Sequence, residues 1–130
     1  MILGLDPSLR NFGWVLMEDD GHFLDKGMMS TKADMMFVSR YIFLRDGLRE
    51  IVRTIRSNYP DKVLRVGIES PIFNDLYSEG MYGLFLYSNE ALMLEKCDTV
   101  YLTPNQVKAH AHAFLNRPKG WKMQKGDMVE

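Results

Sequence analysis

Cysteine is almost absent from this chain. Cys97 stands alone, which excludes an internal disulfide framework and every zinc pattern built on paired cysteines. A lone thiol fits a reducing compartment and reads as a buried structural residue. Long hydrophobic runs are missing as well: no window approaches the roughly 18 apolar residues that would span a bilayer. Met1 leads straight into the short run Ile2-Leu3-Gly4-Leu5, with no basic segment ahead of a long apolar one, so no signal peptide is visible. The expectation is a cytosolic protein that makes no use of membranes. Net charge is nearly absent too, at −1, which argues neither for nor against nucleic acid. Internal repeats and low-complexity tracts are lacking, and 130 residues with 46% apolar content point to one domain, 1–130, with a real core.

The distribution of charge is more informative than its sum. Between Thr99 and Gly126 there is no Asp or Glu, while Lys108, Arg117, Lys119, Lys122 and Lys125 supply five positive charges. Such a basic end is either a solvated face or a surface for phosphates.

Periodicity divides the rest of the chain. Ile2 to Leu5 is a short apolar strand ending at Asp6-Pro7-Ser8, and Phe12 to Met17 is a second strand rich in β-formers. Asp19-Asp20-Gly21 marks a tight turn into a third, from about His22 to Ser30, interrupted by Asp25, Lys26 and Gly27. After Thr31 the period changes: Val38, Tyr41, Ile42, Leu48, Ile51, Val52 and Ile55 recur at helical spacing until Pro60 stops the helix, with Gly47 in its middle. Val63 to Ser70 reads as a buried strand that Pro71 ends. Met81 to Lys96 is helical again, and Thr99 to Leu102 is a short strand. Thr103-Pro104-Asn105-Gln106 carries an N-cap, a proline at the first helical position and a capping box, which predicts a helix to about Leu115. A further helix is expected near Met123, after Pro118 and Gly120. The order β-β-β-α-β-α-β-α predicts an α/β fold, a mixed sheet flanked by helices.

Two acids stand out on this framework. Asp6 ends the first strand, where a carboxylate is held rigidly at a crevice and suits a hard cation, although a strand-end Asp also serves simply to form a turn. Glu69 ends the apolar run Val66-Gly67-Ile68, and carboxylates on buried strands are rare unless paired or metal-bound. Two such acids converging in one sheet would repel, and a divalent cation between them is the natural compensation. Arg10 follows Asp6 in the turn, either as an ordinary exposed arginine or as a partner for phosphate. Phe73, Tyr77 and Tyr82 follow Glu69 and could stack on unpaired bases, Phe73 being the better placed after Pro71. His110 and His112 point roughly 200° apart on one helix and cannot share a metal. Phe85, Leu92 and Met93 form an apolar stripe read as core in preference to a dimer seam. The ten methionines read as adaptable packing.

At this point the chain resembles a known family. Ile2-Leu3-Gly4-Leu5-Asp6-Pro7-Ser8 with Gly13 in the next strand looks like the opening of the RuvC family of Holliday junction resolvases, and Gly67-Ile68-Glu69 looks like its second acidic strand. Leu102-Thr103-Pro104-Asn105-Gln106-Val107-Lys108 is similar to the family's strand-to-helix segment, and Lys125 with Met128-Val129 resembles the start of its lysine-bearing helix. The ordered set of four carries the resemblance, because hydrophobic-Gly-hydrophobic-Asp alone also opens sugar kinases and actin-like ATPases.

The resemblance implies an RNase H-like nuclease fold with about five strands and a homodimeric endonuclease that cuts branched DNA with two Mg²⁺ or Mn²⁺ ions. Asp6 would bridge both ions and Glu69 would bind one, while Lys125, with Lys122, would meet the scissile phosphate or the backbone beside it. Arg10, Phe73, Lys108 and Lys119 would extend the DNA surface. Family members take two further acids from a helix well beyond the lysine. Asp127 and Glu130 lie too close to Lys125 to match them, so the expectation is a domain truncated at its C-terminal side. A branched-DNA-binding module that does not cut, and an ATPase fragment of the actin or sugar-kinase type, are the alternatives.

Overall fold

Leu3 and Leu5 alternate with Ile2, Gly4 and Asp6, a period of two that exposes one face of a strand and buries the other. In the computed structural model, which describes residues 1–69 and 79–102, this segment is β1 (Ile2–Asp6), the middle strand of a five-stranded sheet. The chain continues through β2 (Asn11–Met17), β3 (Phe23–Ser30), helix α1 (Phe37–Asn58), β4 (Arg65–Glu69), helix α2 (Glu79–Leu94) and β5 (Asp98–Leu102). The strands lie in the order β3-β2-β1-β4-β5; β2 is antiparallel to both its neighbours, whereas β1, β4 and β5 run parallel. The element order expected from sequence therefore holds through β5. The helix expected from Thr103 lies outside the described residues.

Local chemistry explains the boundaries. Gly21 at φ 94° takes the left-handed conformation the β2–β3 turn requires, and its N–H donates to the Glu18 carbonyl at 2.9 Å. The Asp25-Lys26-Gly27 segment, which interrupts the pattern in sequence, is continuous strand: a Cβ on Gly27 would lie 2.5 Å from the Trp14 ring, so glycine here makes room for the indole across the ladder. Gly47 in α1 serves the same end against Met29 of β3. No helix among the described residues is long and apolar enough to cross a membrane.

One face of the sheet meets both helices. Leu3, Leu5, Phe12, Leu16, Val66 and Ile68 from the strands pack with Leu44, Leu48, Val52 and Ile55 of α1 and with Leu84, Ala91 and Leu92 of α2. The helices run side by side in the same direction, since Tyr41 stacks on Tyr87, Arg45 pairs with Glu90 and Arg49 with Glu95.

Glu95 gathers an ionic cluster at the end of α2. Arg49 and Arg53 reach its carboxylate at 3.0 and 2.8 Å, and Arg56 donates to its carbonyl, tying the end of α2 to α1. The hydrogen bond from Arg49, with the charges of Arg53 and Arg49, holds the Glu95 carboxyl below its ordinary pKa. A carboxylate lowered on folding stabilises the fold at every pH above its ordinary value, and that contribution is lost as pH falls through the lowered one. Glu95→Gln is therefore expected to cost about 1–2 kcal/mol near neutrality, between the values for exposed and buried pairs. Urea melts should find wild type and variant converging as the solution is acidified below the glutamate range. Cys97, beside this cluster, is half-buried where the sequence reading had it buried; burial pushes its thiol pKa up, against the pull of Arg56, which favours the protonated thiol.

Candidate functional site

Asp6 and Glu69 are brought together by strand register. β1 and β4 are adjacent and parallel, pairing Gly4 with Gly67 and Leu5 with Ile68; one residue further along each strand stand Asp6 and Glu69. Alternation puts both acids on the face opposite Leu3, Leu5, Val66 and Ile68, away from the helix-covered core. Neighbouring strands are about 4.8 Å apart, so the two half-buried carboxylates start from adjoining backbone positions at the carboxyl ends of the two strands.

Glycines line the sheet behind the pair, with the Val15 and Leu102 side chains reaching over them. Asp6 lies across from Gly13 on β2, and two residues back Gly4 and Gly67 sit side by side. Asp6 is flanked by β2 and β4 and so occupies the central position of the pair.

The donor set fits a hard divalent cation: two carboxylates on rigid neighbouring strands, without the sulfur or imidazole that would favour zinc or copper. Among the described residues there is no group of three or more His, Cys, Asp or Glu that could hold a metal ion; the pair would offer two carboxylates to one. The acids at the opposite end of the sheet are committed elsewhere. Asp19 accepts a hydrogen bond from the Met1 ammonium at 3.0 Å, which draws its pKa down, and Asp20 is lowered by its hydrogen bonds from His22.

Arg10 lies exposed in the turn between β1 and β2, four residues beyond Asp6. Phe73, Lys108, Lys119, Lys122 and Lys125 lie outside the described residues, as do His110, His112, Asp127 and Glu130. Tyr82 is half-buried on α2. The stripe of Phe85, Leu92 and Met93 is corrected: Leu92 is core, Phe85 packs edge-on against Tyr101 with centroids 5.9 Å apart, and Met93 is 75% exposed. Positions 85 and 92, seven residues apart, share one face of α2, whereas Met93 lies about 100° further round the helix and faces outward.

Sequence reading missed Thr31. It is buried, donates its hydroxyl to the Leu9 carbonyl, and its N–H donates to the Arg10 carbonyl at 3.0 Å. The available signal was a threonine between the end of a strand and the start of a helix, where its hydroxyl has no regular ladder to join.

A mixed five-stranded sheet with helices on one face and acids at the ends of two neighbouring parallel strands has the RNase H-like fold. Comparison narrows the likeness to RuvC. Over 58 residues the chain is 40% identical to the crossover junction endodeoxyribonuclease RuvC of Rhizobium johnstonii, a match covering 42% of this chain and 34% of that protein. RuvC of Agrobacterium fabrum is 39% identical over 64 residues, covering 47% and 36%. The matches thus span about a third of the length of these curated relatives. In three dimensions the chain superposes on Thermus thermophilus RuvC in complex with a Holliday junction substrate with a TM-score of 0.65, at 11% identity, covering 98% of this chain and 86% of that one. A second T. thermophilus RuvC structure gives 0.63 at 12% identity. No protein-family model matches. The chain is RuvC-like in sequence and in fold.

Proposed function

We propose that this chain is a metal-dependent, structure-selective DNA endonuclease of the RuvC type, acting on Holliday junctions or other branched DNA. The observation that supports this reading most is the register that sets Asp6 beside Glu69 at the ends of β1 and β4. Asp6 and Glu69 would hold the metal, the roles that the resemblance to RuvC implies for these two acids. Mg²⁺ or Mn²⁺ bound there supplies charge neutralisation on the attacking and leaving oxygens of a phosphodiester and orients the water.

The protein's own contribution is rigidity and positive charge. Backbone pairing of Asp6 with Gly13 on β2, and of the preceding Leu5 with Ile68 on β4, holds the start of its side chain, so little backbone reorganisation would accompany reaction. Arg10 supplies a cation within one turn of Asp6, and Lys108, Lys119, Lys122 and Lys125 carry the same role into the basic end, with Lys125 at the scissile phosphate and Phe73 against unpaired bases. Homodimerisation, which lets two such sites cut opposed strands, belongs to the same proposal; Leu86 and Met93, exposed on α2, are apolar surface available to it.

The test is incubation of the chain with labelled four-way junction and linear duplex in Mg²⁺ or Mn²⁺. Paired nicks in the junction, absent from duplex and abolished by chelation, are expected. Tight junction binding without cleavage would reduce the reading to a binding module. Protection against heat by nucleotide, with no affinity for DNA, would overturn it. Junction affinity should also fall as salt rises, with a slope of roughly −0.9 per phosphate contacted. Titrations at several salt concentrations check this, and Arg10→Ala is expected to make the slope shallower by about one contact.

A further inference from the structure

Among the described residues only two polar side chains are buried, Thr31 and Ser88. Ser88 bonds to the Leu84 carbonyl within its own helix, an ordinary local contact. Thr31 reaches across the fold. Its hydroxyl donates to the carbonyl of Leu9 and its N–H to the carbonyl of Arg10, 22 and 21 residues earlier in the chain. Beside it, the Ser30 hydroxyl donates to Asn11 Oδ1 at 3.0 Å, and the Asn11 N–H donates to Ser8 Oγ at 3.4 Å.

These bonds converge on one short turn. Residues 7–10 leave Asp6 at the end of β1 and return as β2, and two consecutive carbonyls of that turn are held by one residue at the end of β3. Leu9 is anchored a second time by its side chain, which packs against the core. The next residue, Arg10, is exposed. A turn pinned by its carbonyls and by an apolar side chain presents the one remaining side chain, a guanidinium, from a fixed backbone. An exposed arginine on a free loop would lose several rotors and a backbone conformation on meeting a phosphate; from this turn only the side chain is ordered.

We propose that Thr31 is a positioning residue for the DNA contact of Arg10: it sets the β1–β2 turn, which leaves directly from Asp6, so that the guanidinium is presented from the end of the sheet that carries the two acids to the phosphate next to the one being cut. This inference rests on the nuclease reading above and adds to it a residue that touches neither metal nor DNA.

A double-mutant cycle on the full chain tests it, reading the Kd for a four-way junction in Ca²⁺ together with the salt slope. Thr31→Val keeps size and backbone donor and deletes the hydroxyl; it is expected to weaken binding about fivefold, the equivalent of one hydrogen bond, and to lower the slope as Arg10→Ala does. In the Arg10→Ala background the same change should have no further effect, and Thr31→Ser should restore wild-type binding. Should Thr31→Val fail to fold by circular dichroism, Thr31→Ala, which lets water reach the Leu9 carbonyl, takes its place in the cycle. Wild-type affinity in the Thr31 variant, or effects of the two changes that multiply, would overturn the proposal and assign Thr31 a purely structural role. If Arg10→Ala is silent while Asp6→Asn abolishes Mn²⁺ binding, this inference fails and the nuclease reading stands. If Asp6→Asn leaves Mn²⁺ binding intact, it is the nuclease reading that fails.

Discussion

Asp6→Asn is expected to abolish Mg²⁺-supported junction cleavage while leaving the fold intact. The substitution removes one negative charge from a pair held on adjoining strands, and with it the ligand flanked by strands on both sides. Even a group that merely orients a metal ligand is worth roughly 10–100-fold in metal affinity or activity. Loss of the ligand itself should exceed that, so a rate reduction of at least about 100-fold is predicted. Glu69→Gln should behave alike. Stability should change little by comparison, because Asp6 lies half-buried on the face away from the helix-covered core. Single-turnover cleavage and thermal melting on the same preparations separate the two effects. A variant that loses cleavage and melting temperature together would place Asp6 in the scaffold and not in the site.

Phe12→Ala should show the reverse pattern. Phe12 is the largest fully buried side chain among the described residues, lying on the core face of β2 and paired with Met29 of β3. Truncating a buried phenylalanine typically costs 3–5 kcal/mol, because transfer free energy is lost and the cavity collapses only in part. For a chain of this size that corresponds to a fall of about 10–20 °C in melting temperature. Phe12→Leu, which keeps most of the volume, should recover more than half of it. Gly13, directly after Phe12, lies across from Asp6, so residual metal affinity measured below the melting temperature reports whether the strand still holds its register. Calorimetric melts without DNA check the first effect.

How much of this was legible in the sequence differs from residue to residue. The meander was readable because Asp19-Asp20-Gly21 marks a turn and Leu3, Leu5, Phe12 and Leu16 alternate with other residues, a pattern that depends only on nearest neighbours. Glu69 was readable as a strand-end acid for the same reason. Its pairing with Asp6 depends on the order β1-β4, set by the α1 crossover, and periodicity carries no information about which strands become neighbours. Gly27 looked like an interruption because its reason lies across the ladder, in Trp14. The arginines at 45, 49, 53 and 56 were visible at helical spacing, but their partners Glu90 and Glu95 come from another helix. Thr31 was passed over as a boundary: its partners lie more than 20 residues away, at a distance where sequence pattern is silent. Leu92 and Met93, adjacent in sequence, separate into core and surface because a helix turns by about 100° per residue.

The central claim, that Asp6 and Glu69 act as one metal site, is tested most directly by titrating Mn²⁺ into wild type, Asp6→Asn and Glu69→Gln and following the free ion by electron paramagnetic resonance. Saturable binding to wild type that each substitution weakens at least about tenfold is the predicted result. Absence of binding to wild type, or binding that neither substitution changes, would contradict it.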